Sequence, residues 1–236
     1  AISAASVIIN TGVTITHTAE DADGVTITTT GNFEIQSGAY INVDSRGCLN
    51  TGNADGYGPN GSNVCTFQTA GYGDGNTSNW GVQGAGHGGT GGLGSDVGFN
   101  AGGAVYGSPT APVLFGSSGG SADLQSLGGS GGGYVRLIVS GNFTNNGIVS
   151  ADGGTPTSTM SSRAGGGGSG GSVYVTVTGA LAGSTGTFSA DGGNGANYDD
   201  DGGGGGGGRV SIEYGADPDS LVAGLSAAGV AAGGTA

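Results

Sequence analysis

Gly-Gly-Ser-Gly-Gly at 128–132 is followed by Tyr134-Val-Arg-Leu-Ile-Val139, a turn, and Ile148-Val-Ser-Ala-Asp-Gly-Gly154. The same order returns 39 residues later: Gly-Gly-Ser-Gly-Gly at 167–171, Val173-Tyr-Val-Thr-Val-Thr178, a turn, and Phe188-Ser-Ala-Asp-Gly-Gly193. A third copy opens on the glycines 202–208, runs through Arg209-Val-Ser-Ile-Glu-Tyr214 and ends in a worn Leu225-Ser-Ala-Ala-Gly229. An earlier one is visible too, because Val25-Thr-Ile-Thr-Thr-Thr-Gly-Asn-Phe33 matches Val135-Arg-Leu-Ile-Val-Ser-Gly-Asn-Phe143. Tyr40-Ile-Asn-Val-Asp-Ser-Arg-Gly47 then stands where Ser-Ala-Asp-Gly falls later. The unit is strand, turn, strand, glycine insert, and a fixed internal period is the mark of a stacked architecture.

Within each copy the apolar residues alternate. Val25 and Ile27 are interleaved with threonines, Val173, Val175 and Val177 with Tyr174, Thr176 and Thr178, and Val210, Ile212 and Tyr214 with Ser211 and Glu213. That period of two is a strand signal, and helix signals are nearly absent. Residues 1–45 add short strands near 6–10, 13–17, 25–30, 33–36 and 40–44. The fold expected is all-β: a parallel β-solenoid-like body of short strands with ordered glycine-rich inserts, the alternative being a β-sandwich with a polyglycine layer.

Of 236 residues, 60 are glycine, about one in four, against a usual share of roughly one in fourteen. Glycine loses the most backbone entropy on folding. Runs without side chains are ordered most simply as extended threefold helices of the polyglycine II kind, related to polyproline II, with their N–H and C=O groups paired to neighbouring segments. The chain reads as a single elongated domain, 1–236. Its parts are N-terminal strands (1–47), a long Gly/aromatic insert (48–127), glycine-rich strand repeats (128–215) and a C-terminal tail (216–236).

The 17 acidic against 4 basic residues give a net charge of −13. Arg46, Arg136, Arg163 and Arg209 are scattered singly, so a nucleic-acid partner is excluded. No apolar run approaches the roughly 20 residues of a membrane span. Cys48 and Cys65 lie in one Gly/Asn-rich stretch with no metal-type spacing, which predicts a disulfide in an oxidising compartment. The opening Ala-Ile-Ser-Ala-Ala-Ser reads as a mature chain after signal removal. Asn60, Asn76 and Asn142 stand in Asn-x-Ser/Thr sequons and are candidate glycosylation sites.

Catalytic chemistry finds little support. His17 and His87 have no partner pattern, the Gly84-Ala-Gly-His-Gly-Gly89 spacing lacks any Lys to complete a phosphate loop, and Glu20, Glu34 and Glu213 are single. Calcium is the best cofactor candidate, at Asp199, Asp200 and Asp201, carboxylates beside permissive glycines; plain turns built by the same Asp-Gly chemistry, with no cofactor, are the competing reading.

Gly-Gly-Gly-Gly-Arg209-Val-Ser-Ile-Glu-Tyr214, with Phe188-Ser-Ala-Asp-Gly-Gly193, Tyr106-Gly-Ser-Pro109 and Tyr134-Val-Arg-Leu-Ile-Val-Ser140, resembles the glycine-rich repeat modules of secreted bacterial surface and matrix proteins. The resemblance covers about residues 25–215 and implies an extracellular, cell-surface or matrix location rather than an activity. The function expected is a non-enzymatic structural subunit whose partners are copies of itself, forming an extracellular filament or sheath. The alternatives are an adhesin tip binding surface glycans or a receptor through Trp80, Tyr57, Tyr72 and Tyr106, and a calcium-dependent polysaccharide-active enzyme.

Overall fold

Alternation decides which side chains turn inward. In Val25–Thr29, the apolar Val25 and Ile27 are 5% and 1% exposed while Thr26 and Thr28 face the other way and stay half-buried. The structure, a computed structural model, describes residues 1–52, 54–75, 81–95, 102–122, 126–158, 163–197 and 200–216. Among these it is all-β, with no helix.

The N-terminal residues supply β1 (Ile2–Ala4), β2 (Val7–Ile9) and β3 (Thr14–Ile15); the next stretch supplies β4 (Val25–Thr29), β5 (Phe33–Ile35) and β6 (Tyr40–Asn42). After the long insert come β10 (Tyr134–Val139), β11 (Phe143–Asn145) and β12 (Ile148–Ser150), then β14 (Ser172–Ala182), β15 (Thr187–Ser189) and β16 (Arg209–Ala216). The insert carries the hairpin β7 (Tyr57–Pro59) with β8 (Cys65–Phe67), and β9 (Ser126–Leu127), which pairs antiparallel with β13 (Thr157–Ser158).

All other strand pairs are parallel and fall into three walls. The first is β1-β4-β10-β14-β16, the second β2-β5-β11 and the far end of β14, the third β3-β6-β12-β15. The long β14 turns the corner from the first wall into the second, so the parallel strands wrap one core as a nearly closed, barrel-like sheet. Parallel pairing departs from the antiparallel sheets of a sandwich.

In-register pairing stacks like on like. Ile2, Ile27, Leu137, Val175 and Ile212 form one column. Val7, Phe33, Phe143 and Leu181 form a second, and Ile15, Ile41, Val149 and Phe188 a third. The middle members of each are buried in one continuous core, where the Phe33 and Phe143 rings meet at 5.0 Å. A slip of one residue would turn every such column outward. The strands expected near 6–10, 13–17, 25–30, 33–36 and 40–44 are present in slightly shorter form; Ile2–Ala4 is an additional one.

Candidate functional site: a glycine framework and two open strand edges

The glycine segments lie together against the wall, buried, and bonded to one another. Residues 166–171 donate, in turn, to the carbonyls of Gly120, Gly203, Gly154, Ser117, Gly206 and Ala151, at 2.7–3.0 Å. The partner segment changes at each residue and returns every third: 166 and 169 reach the 117–120 run, 167 and 170 the 203–206 run, 168 and 171 the 151–154 run. The carbonyls of the same six residues accept from Gly129, Ala85, Gly193, Gly132, the His87 ring and Arg209. Every N–H and C=O of this run is therefore satisfied by other segments, as burial demands.

Residues 116–121 follow the same rule. Gly116 and Gly119 donate to Gly132 and Gly129, Ser118 and Ser121 to Tyr57 and Ala54, and Gly120 to Gln83, while Ser117 donates to the Ser169 hydroxyl at 2.8 Å. Such close approach leaves no room for Cβ: one added at Gly168 would strike the Ser130 carbonyl, and one at Gly205 the Gly168 carbonyl.

Both histidines sit where framework meets wall. His87, fully buried, bonds Gly170 O through Nδ1 at 2.8 Å and stacks on Tyr106 with ring centroids 4.4 Å apart. His17 bonds Thr18 O at 2.7 Å and stacks on Phe115 at 5.9 Å. In each the Nε2 is buried and has no hydrogen-bond partner among the described residues. Burial, with Arg209 adding its charge, lowers His87 to about 4; burial likewise lowers His17, with Arg46 in the same sense. Tyr106 donates to Phe115 O at 2.6 Å and accepts from Ser117, and burial pushes its phenol up.

The aspartates of Ser-Ala-Asp-Gly form a ladder. Asp44 Oδ1 accepts the Asp152 N–H at 2.8 Å, and Asp152 Oδ1 accepts the Asp191 N–H at 2.7 Å. Asparagines do the same at the corner between the first two walls, Asn32 Oδ1 taking the Asn142 N–H and Asn142 Oδ1 that of Ala180. In sequence these aspartates read only as turn or cation residues; their repeat period was the signal for a rung-to-rung role.

Cys48 and Cys65 are joined in a disulfide that ties the framework to the β7–β8 hairpin. Of the calcium residues, Asp199 lies outside the described residues; Asp201 exchanges backbone and hydroxyl bonds with Ser95. Among the described residues no group of three His, Cys, Asp or Glu could hold a metal ion. Burial and the neighbouring Asp55 raise Asp74 to about 6. Asn60 is exposed on the hairpin turn and Asn142 exposed at its corner, while Asn76 and Trp80 lie outside the described residues. Of the aromatics of the insert, the Tyr106 hydroxyl is enclosed, and Tyr57 packs edge-on to Phe67 at 5.6 Å.

The wall stops at two edges. Among the described residues β1 and β16 each have one strand neighbour. At the β1 end Ile2 is 46% exposed, Ile8 58% and Val13 44%, and at the other Tyr214 is 40%. Ile8 takes the outward position that Glu34, Thr144 and Ala182 hold in the strands beside it. No family model, curated protein or solved structure matches the chain.

Proposed function

We propose that the chain is a secreted structural subunit that assembles with copies of itself into an extracellular filament or sheath. In this reading the three walls are a short parallel β-solenoid, and the glycine segments are a layer of polyglycine II helices packed on its side. The change of hydrogen-bond partner at every residue with a return at every third is the pattern of an extended helix with three residues per turn. The six neighbours of 166–171 match hexagonal packing of such helices.

The observation that carries the function is the pair of strands β1 and β16, each with one strand neighbour among the described residues, at opposite ends of one parallel wall, with Ile2 and Tyr214 exposed there. Natural sheets blunt such edges with Lys, Pro or inward charges; β1 carries none of these, and on β16 it is Val210 and Ile212, not Arg209 or Glu213, that pack on the core. Two different surfaces that fit each other at opposite ends produce an open polymer when the rotation between neighbours does not close, as in stacking along one wall. The disulfide supports export to an oxidising compartment. Negative-stain electron microscopy of the purified protein tests the reading. Long, uniform polymers are expected; a monodisperse population of small particles at all concentrations overturns it.

A further inference from the structure

Resting on that reading, we propose that the subunits join by direct pairing of β16 of one copy with β1 of a second, continuing the first wall in parallel register with Ile2 placed over Ile212. Four aligned facts lead to this contact. The two strands belong to the same wall and run in the same direction. A parallel strand turns alternate backbone groups to each side, so β1, which pairs only with β4, and β16, which pairs only with β14 among the described residues, each turn a second set outward along the stack that no described strand takes up.

The side chains agree as well. The inward column Ile27–Leu137–Val175 is about fully buried, and its end members Ile2 and Ile212 are open to solvent in part. Joining the ends makes the column continuous from copy to copy. On the outer face the column Thr28–Ile138–Thr176 ends in Ser3 at one edge and Glu213 at the other. No second acidic side chain of β1 opposes Glu213, although the protein carries 17 acidic residues. The partner is therefore a second copy of this chain, approached end-on.

Ser3→Cys combined with Glu213→Cys tests the register. Both side chains are exposed, and the native cysteines are already bonded to each other. Within one molecule the two positions are four strand spacings apart, about 19 Å, beyond the reach of any disulfide. Mild oxidation of assembled protein is expected to give a ladder of covalent dimers, trimers and higher species on a non-reducing gel. Ser3→Cys with Ser211→Cys, displaced by two residues, is expected to cross-link at least about tenfold less. Five strands of the first wall per subunit further set an axial rise of about 24 Å. Filaments that form normally yet give no register-specific cross-link overturn this interface and leave self-assembly standing. Wild-type protein that never polymerises overturns the proposed function itself.

Discussion

The Asp152 carboxylate accepts the backbone N–H of Asp191 at 2.7 Å, one repeat further along the wall. Burial raises this carboxyl above its ordinary 3.8, the Asp191 N–H opposing and Asp44 reinforcing the rise. What the fold uses at this position is the acceptor oxygen, not the charge. Asp152→Asn retains an acceptor and is expected to equal or exceed the wild type in urea stability at pH 7. The sign follows from linkage: a carboxyl with a raised folded pKa costs stability above that pKa, and the cost vanishes below 3.8. The advantage of Asn should therefore shrink as the pH falls to about 3.5. Asp152→Ala leaves a backbone donor without its partner and should cost about 1–3 kcal/mol. Equal losses for Asn and Ala at pH 7 would assign the position to the negative charge.

Strand positions, inward columns and the disulfide pair were legible because each leaves a local mark: alternation at Val173–Thr178, repetition at Val25–Phe33 and Val135–Phe143, and two cysteines. Individual glycines were not. Gly168 and Gly61 are the same letter, yet Gly168 packs against Ser130 while Gly61 has nothing within 4 Å of the place for a Cβ. Which glycine is indispensable depends on segments as far as 121 residues away, as the Gly206 N–H bonding Ala85 shows. His87 was read as isolated for the same reason: its partners Gly170, Tyr106 and Arg209 are all distant in sequence.

That contrast gives a direct test of the framework. Gly168→Ala should lower stability by about 3 kcal/mol, the upper range for overpacking, because the obstacle is rigid backbone. Gly61, at φ +91°, has open space around it, and Gly61→Ala is expected to cost about 1 kcal/mol from backbone strain alone. Thermal melts of the two variants should rank them in that order. A Gly168 variant as stable as the Gly61 variant would show that the close packing is not required.

The Cys48–Cys65 bond closes a loop of 17 residues. By the chain-entropy relation it stabilises the fold by about 3 kcal/mol. It anchors the β7–β8 hairpin beside Tyr57 and Phe115, where that hairpin has only one two-stranded ladder of its own. Reduction or paired Cys→Ala substitution is expected to raise hydrogen exchange first in residues 57–67, before the parallel wall opens. Simultaneous loss of protection in the hairpin and in Val135–Val139 would make the bond a support of the whole fold instead.

His87 provides the acid sensitivity. Its Nδ1–H is committed to Gly170 O, so the neutral ring presents a bare Nε2 inside the protein, with Tyr106 on one face and the Arg209 guanidinium nearby. Protonation puts a second cation there beside the Arg209 guanidinium. The folded value is about 4 against 6.5 for the free side chain. The contribution is therefore complete above pH 6.5 and falls as the pH drops from 6.5 to 4, reaching a loss of about 3 kcal/mol. His17 shifts in the same direction, with Asp21 opposing and Arg46 assisting. Asp74 and Asp152, raised by burial, act oppositely over the acid range, so the informative quantity is a difference between proteins. His87→Phe preserves the stack on Tyr106 and cannot be protonated. It should be less stable than wild type at pH 7, having lost the bond to Gly170, but the gap should close or reverse by pH 4. A gap that is constant from pH 7 to pH 4 in urea titrations would remove His87 as the titrating group.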